Sequence, residues 1–586
     1  MLKKSISKVP SLSLKYKQLA FIPFLDAQLV KQKNAVMKKI FYYGNFLFLF
    51  LSGISLFSRG QGFSPAVQSH LQKVIDSFQN SQIHPFIGGM SVAVKVDGLA
   101  MWQGASGYAA RNVDAQNNLL PGGTPFTIHT LSRIYSITKT FTSPLVLQLA
   151  KEGMFKLDDS VSMYIPIKTI NPALNSKVTI RQLLSHESGY SDYTDELNLQ
   201  IAVAAQPTHV WTPFEMLTFV HQLNEPGAIR VYSSTNYIVL GAIIEAVTGK
   251  PVEEFYRNRF FNPLGLNSMY LAIREQPQTN ALLASPHDNI SAFNPVFQLT
   301  GQPLFPDTIT NISRFPMTAI ASLAFTGGGI VSNAKDVAEW GNDLFTGRAT
   351  GKSILNTMLE SISATPDKDG DRLGYGVILS DKISSHYDFY GHDGNAPGYR
   401  SIMFYQPDKK LTLVILTNFH GADLYAIARA LYAAIPDFTC GNKKDDKINV
   451  CLWQRNLCVP RVLASRLIQY AATLGECECS LPSAKKMDIA NRKLITSSAK
   501  QNMLEAFPNP FSNTVSFSFR SSESGQATIG VYDMNGKLLA TVFNGFVQKG
   551  ILQKVEFNGS NLPAGMYLSR LQTSTGITEL KLLRIQ

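Results

Sequence analysis

The sequence predicts an α+β chain that closes on a small β-sandwich, and three observations carry that prediction. Strand-like patterns occupy 88–109 and 373–418. Between them, apolar residues recur mainly at helical spacing. From Ala506 onward the pattern changes to short strands separated by turn residues.

The bulk composition is that of a globular protein, at 45% hydrophobic and 16% charged residues. The formal charge of +12 suggests nucleic acid at first sight. Residues 1–60, however, hold ten Lys or Arg and one acid, Asp26, and so supply nine of those twelve charges. The remainder is too weakly basic for a nucleic-acid footprint.

The start of the chain reads as an address. Met37-Lys-Lys-Ile-Phe-Tyr-Tyr-Gly-Asn-Phe-Leu-Phe-Leu-Phe-Leu-Ser-Gly-Ile-Ser-Leu-Phe57 is a short basic region followed by an apolar run. Small and polar residues follow at 58–62, the layout of a secretory signal peptide. The expected start is therefore Met37, with 1–62 as extension and signal. The alternative is an N-terminal membrane anchor, which the short run disfavours. No later segment is long and apolar enough to span a membrane once the signal is removed.

Phe63–Asn80 has helical spacing. Gly88–Val96 alternates as a strand, Asp97-Gly98 signals a turn, and Leu99–Ala109 returns as a hairpin. Pro121-Gly-Gly-Thr-Pro125 reads as a connection. It leads to Ser136-Ile-Thr-Lys139, at the start of a buried helix with Pro144 in its first turns. Residues three apart on a helix are neighbours, so Lys139 reaches the Ser136 hydroxyl. A serine needs a nearby base to become a nucleophile, and a lysine whose pKa is lowered by burial can be that base. A Ser-x-x-Lys tetrad is common by chance, and the bland reading is a capping serine with a solvated lysine.

Val178–Tyr190 is a short capped helix ending at glycine, and His186 within it reads as a hydrogen-bonding residue that fixes the loop. Pro226–Tyr237 is a turn, a short strand and a polar loop before an apolar helix at 238–247. Tyr232 there suits a rigid pocket wall, as an acid or base if nearby cations lower its pKa, or as a satisfied core tyrosine. Residues 271–325 read as an excursion over the pocket. Gly327-Gly-Gly329 reads as a tight turn without the Lys-Ser/Thr of a phosphate loop. Leu373–Leu379, the stretch around His392-Asp-Gly394-Asn395, and Leu411–Asn418 are successive antiparallel strands. Gly394 would admit substrate backbone, and the Asn395 N–H could help cradle an oxyanion.

Ser136-x-x-Lys139, Tyr232-Ser-Ser234 and His392-Asp-Gly394 stand in an order that resembles the penicillin-recognising serine hydrolases. The branch is that of class C β-lactamases, D-alanyl-D-alanine carboxypeptidases, D-aminopeptidases and related esterases. The resemblance covers about 64–435 and places the hydrolase domain at 63–436. It implies a β-lactamase-like antiparallel sheet flanked by helices plus a helical subdomain. It also implies that Ser136 is acylated, that Lys139 and Tyr232 share proton transfer, and that the N–H groups of Ser136 and Asn395 form the oxyanion hole. Gly394, Ser234 and His392 fall at substrate-binding positions. His392 stands where many relatives carry lysine, and Ser234 where many carry asparagine, which weakens a β-lactamase assignment.

Five cysteines lie between 440 and 479, in a segment (437–504) that reads as a linker or insert with a helix at 459–474. Their spacing matches no zinc site, and neither a metal nor a cofactor is expected. Six strands are expected from 514 to 584, within a sandwich at 505–586. Pro508-Asn-Pro510, Val531-Tyr-Asp-Met-Asn-Gly536 and Leu562-Pro-Ala-Gly-Met-Tyr567 resemble the C-terminal sorting domain of the type IX secretion system. That resemblance implies a secreted or cell-surface protein that transits the periplasm and engages secretion machinery through its tail. The expected function is an exported serine hydrolase acting through an acyl-enzyme on D-amino-acid peptides or carboxylic esters. The alternatives are a β-lactamase and an inactive binding or sensing module.

Overall fold

The computed structural model describes residues 62–80, 88–441 apart from 116 and 117, 446–477 apart from 471, and, with short gaps, 502–584. The expected signal at 37–57 and Cys479 lie outside the described residues.

Helix α1 (Pro65–Gln79) is capped by Ser64 and leads to the expected hairpin of β1 (Gly89–Val96) and β2 (Ala100–Val113). The connection expected at 121–125 is a strand instead, β3 (Leu119–Pro125). Gly122 and Gly123 take φ of 79° and 148° there, and the register against β2 shifts, so these glycines bend the strand rather than end it. The middle of the chain supplies α2 (Lys139–Lys151), α3 (Ser234–Thr248), α4 (Met317–Gly328) and α5 (Ala334–Phe345). The strand expected at 373–379 is broken into β4 (Arg372–Leu373) and β5 (Ile378–Ser380). Gly376, at φ 68°, makes the break; a Cβ there would meet the Lys139 carbonyl and Ser143, so the kink lets this backbone approach α2. The pattern ends with β6 (Phe389–Ala396), β7 (Tyr399–Gln406), β8 (Leu411–Thr417) and α6 (Leu424–Ala434).

These strands form one antiparallel sheet in the order β3-β2-β1-β8-β7-β6-β5-β4. Successive side chains of a strand point to opposite faces, and here both faces are buried. Val92, Val94, Leu413 and Ile415 join Leu71 of α1 and Ile427 of α6 on one side. Ala93, Val414 and Leu416 join Phe141 of α2, Ile238 of α3 and Trp340 of α5 on the other. Trp340 stacks on Phe141 and donates its indole N–H to Thr140. Thr142 donates to the Thr326 carbonyl, and Thr138 accepts from the Ile330 N–H, which ties α2 to the end of α4.

The segment expected as a linker or insert is a folded insert over 439–477. Strands Thr439–Cys440, Lys447–Leu452, Arg455–Pro460 and Thr473–Leu474 form a sheet with a helix at Arg461–Tyr470, shorter than expected. Disulfides join Cys440 to Cys458 and Cys451 to Cys477. Ile448, Val450, Ile468 and Leu474 pack into the same cluster as α1 and α6. This apolar face is what the cysteine-rich texture concealed.

The C-terminal residues form two sheets of three and four strands around Val515, Phe517, Ile529, Val531 and Leu571. A seventh strand, Met503–Phe507, precedes the six that were expected. Among the described residues, no helix is long and apolar enough to cross a membrane.

The Cys440–Cys458 bridge closes an 18-residue separation beside this shared core. Loops of that length constrain the unfolded chain by about 3 kcal/mol. The paired C440S/C458S variant is expected to lose stability of that order, read as a lower denaturant midpoint, with an m-value that rises as the unfolded chain is released from the cross-link.

Candidate active site

The site is built where a strained turn meets the first residue of α2. Tyr135 opens a 3-10 turn, Tyr135–Thr138, and has φ 42°. A bulky side chain at positive φ costs about 1–3 kcal/mol and persists only where its surroundings over-determine it. Here the Ile134 carbonyl accepts from Ser401 Oγ of β7 at 2.8 Å, and the Tyr135 ring lies against Tyr399. The turn aims the half-buried Ser136 into a cavity and runs directly into Lys139.

Lys139 is fully buried. Its Nζ lies 3.0 Å from Ser136 Oγ, 3.5 Å from Ser234 Oγ and 2.7 Å from the Gly327 carbonyl, to which it donates. Burial pushes its pKa down to about 7, against the opposing fields of Asp192 and Asp393. A neutral amine can give N–H bonds to Gly327 and Ser234 and keep its lone pair for the Ser136 hydroxyl.

Gly327 was expected in a tight turn, but it sits in the last turn of α4, after Phe325 breaks the helix at φ 31°. The break turns the Gly327 carbonyl toward Lys139, which no spacing rule in the sequence signals.

Tyr232 precedes α3, as expected, although the residues before it pair with no strand. Its hydroxyl lies near Ser136. Burial pushes its pKa well above the usual phenol value, Ser136 tempers the rise, and Asp192 and Asp393 add to it. The condition set on the sequence, cations lowering that pKa, is therefore reversed: Tyr232 is a protonated phenol beside a lysine that titrates near neutral pH. The Lys139 amine sits 5.0 Å from the Tyr232 ring centroid. On its other side the ring stacks on His186 at 4.6 Å. His186 Nδ1 accepts the Ser233 N–H at 3.2 Å and is buried, the loop-fixing geometry expected of it.

His392 is buried behind Tyr232, ring centroids 6.0 Å apart. Its Nδ1 is 2.6 Å from the Asp393 carbonyl, which only accepts, so Nδ1 carries the proton and Nε2 is bare. Burial and the Lys139 charge push its pKa down to about 3. It is neutral at any ordinary pH and cannot reproduce the charge of a lysine at this position. At Gly394 a Cβ would collide with the Ile134 carbonyl and Ser401 Oγ, so the glycine lets β6 close onto the Ser136 turn. Asn395, next to it and exposed, lines the same cavity as Ser136 and Ser234.

Asp192 was not singled out from the sequence. Its Oδ2 accepts the Ser234 N–H at 2.7 Å and its Oδ1 accepts from Thr194, which fixes the start of α3 against the cavity. An Asx turn at Asp192-Tyr-Thr194 was its available signal. Among the described residues, no group of three His, Cys, Asp or Glu is placed to hold a metal ion.

This fold and site define a serine hydrolase class, and the comparisons agree. Residues 74–435 match the Beta-lactamase family model, so the chain belongs to the β-lactamase family of serine hydrolases. Residues 505–586 match the secretion system C-terminal sorting domain, which implies export to the cell surface or medium. The chain is similar to a D-aminopeptidase of Brucella anthropi, 25% identical over 57% of this chain and 56% of that protein. It is also similar to penicillin-binding protein 4 of Amycolatopsis lactamdurans, 30% identical over 35% and 49%. The chain thus spans about half the length of each. Among solved structures, a D-amino acid amidase of Ochrobactrum anthropi SV3 complexed with L-phenylalanine matches at 26% identity and TM-score 0.51, over 62% of this chain and 98% of that one.

With Lys139 at about 7, the amine lacks a lone pair below that pH and has one above it. Covalent labelling of Ser136 is therefore expected to speed up with rising pH, with a midpoint near 7. His392, already neutral, adds no second limb between pH 5 and 8. Stopped-flow labelling with a fluorophosphonate across that range checks both points.

Proposed function

We propose that the protein is an exported serine hydrolase that works through an acyl-enzyme on D-amino-acid amides and peptides or on carboxylic esters. The observation that carries this reading is the 3.0 Å approach of a buried, low-pKa lysine amine to the Ser136 hydroxyl. Ser136 Oγ attacks the carbonyl carbon as its proton passes to Lys139 Nζ. The oxyanion is held by the backbone N–H groups of Ser136 and Asn395, whose residues line one cavity. Collapse breaks the bond to the leaving amine or alkoxide, which takes the Tyr232 hydroxyl proton, and Lys139 returns its proton to Tyr232. Water then attacks the ester at Ser136 by the same relay in reverse. Ser234 shares Lys139 with Ser136, while His392 and Gly394 hold the walls in place.

The reading as a β-lactamase is weaker. The side-chain amide is replaced by Ser234, and the position of the usual lysine holds a neutral, buried imidazole. An inactive binding module is weaker still, because a buried low-pKa lysine beside a serine is costly to keep without chemistry. The export reading rests on the sorting-domain match; we place the route through the periplasm and across the outer membrane, with the tail engaging the secretion machinery.

The enzyme is expected to take a fluorophosphonate on Ser136, and Ser136→Ala to take none. Lys139→Ala should lower the acylation rate by about 10²–10⁴-fold with the fold retained. A panel of D-amino-acid amides, D-Ala-D-Ala peptides, short esters and a chromogenic cephalosporin is expected to show turnover on the amides or esters. Turnover confined to the cephalosporin would reverse the assignment.

A further inference from the structure

The cavity in front of Ser136 holds 180 Å³, comparable with apolar cavities of about 150 Å³ that take up benzene. Tyr193, Thr194 and Gln200 line it together with Ser136, Ser234 and Asn395, but most of its wall is apolar, including Leu199, Val203, Phe297 and Phe315. Phe297 and Phe315 belong to a packed aromatic cluster with Phe305, so this wall is rigid. Among the described residues, no Asp, Glu, Lys or Arg lines the cavity.

The electrostatics around it point the same way. A carboxylate on the substrate would need a cation to offset its desolvation. Lys139 loses its charge as pH rises through about 7 and spends its bonds on Ser136, Ser234 and the Gly327 carbonyl, and the imidazole of His392 is neutral, its Nδ1–H donating to the Asp393 carbonyl. Asp192 and Asp393 face the same lysine and would repel an anion.

We infer that this cavity is an acyl-side subsite for a neutral apolar group, up to one aromatic ring or a chain of about six to eight carbons, and that it rejects substrates with a carboxylate there. The inference rests on the acyl-enzyme reading above and narrows it. It favours amides and esters of bulky apolar acids over peptides whose carboxylate must be bound beside the reacting carbonyl.

The test uses the full chain with p-nitrophenyl esters from acetate to octanoate, and the p-nitrophenyl monoester of succinate. Each buried methylene is worth about a fourfold gain in kcat/KM until the cavity is full. The expected result is a steep rise that levels near hexanoate to octanoate, with the succinate ester slower than butyrate by about tenfold or more. Val203→Phe, which fills the cavity, should shorten the optimum chain. Val203→Asp should flatten the octanoate-to-acetate ratio, and taking a ratio within each variant cancels differences in folded fraction. A flat series, or succinate faster than butyrate, overturns the subsite. Fluorophosphonate labelling of Ser136 is run alongside. Absent labelling sinks the serine hydrolase reading itself, whereas a flat series with intact labelling sinks only the subsite.

Discussion

A lysine amine with no exposed surface must either carry its charge at a large desolvation cost or give up its proton, and Lys139 is placed between those outcomes. Its partners are all neutral acceptors: two hydroxyls and a backbone carbonyl. The nearest acids, Asp192 and Asp393, raise its pKa but do not pair with it. A direct salt bridge would hold the proton on, and full isolation would leave the amine without orientation. The arrangement keeps a base in reach of Ser136 near neutral pH, with the protonated phenol of Tyr232 close by, its ring 5.0 Å from the amine.

Much of the surrounding structure serves to hold that amine still. α2 is locked to the end of α4 through Thr138 and Thr142, which sets the Gly327 carbonyl opposite Lys139. β6 closes on the Ser136 turn because Gly394 has no side chain, and Ser401 holds the Ile134 carbonyl. Together these contacts sustain the positive φ of Tyr135. The double-sided burial of the sheet explains how such strain is tolerated: both faces carry large apolar clusters.

The elements with a clean periodicity were legible. The β1–β2 hairpin, the capped helix at Ile180–Leu184 and the strands around His392 follow from local pattern. Elements governed by close approach of distant backbone were not. The 373–379 strand breaks at Gly376 to meet α2, and Gly122-Gly123 bend a strand where composition suggests a loop. The insert at 439–477 was opaque because its apolar residues follow no long single period, and they acquire meaning only against α1 and α6.

The sequence by itself determined which groups can react. Ser136 and Lys139 are three residues apart, and local helical geometry alone brings them together. The order of the Tyr232 and His392 motifs, and the sorting-like tail, are likewise written in the chain and point to the family and to export. Only the tertiary structure decided the protonation state of those groups, because desolvation depends on what is packed around them. It made Lys139 a base that titrates near neutral pH, Tyr232 a protonated phenol and His392 an uncharged wall. It also assembled the apolar cavity from residues over a hundred positions apart, which no periodicity within either segment encodes.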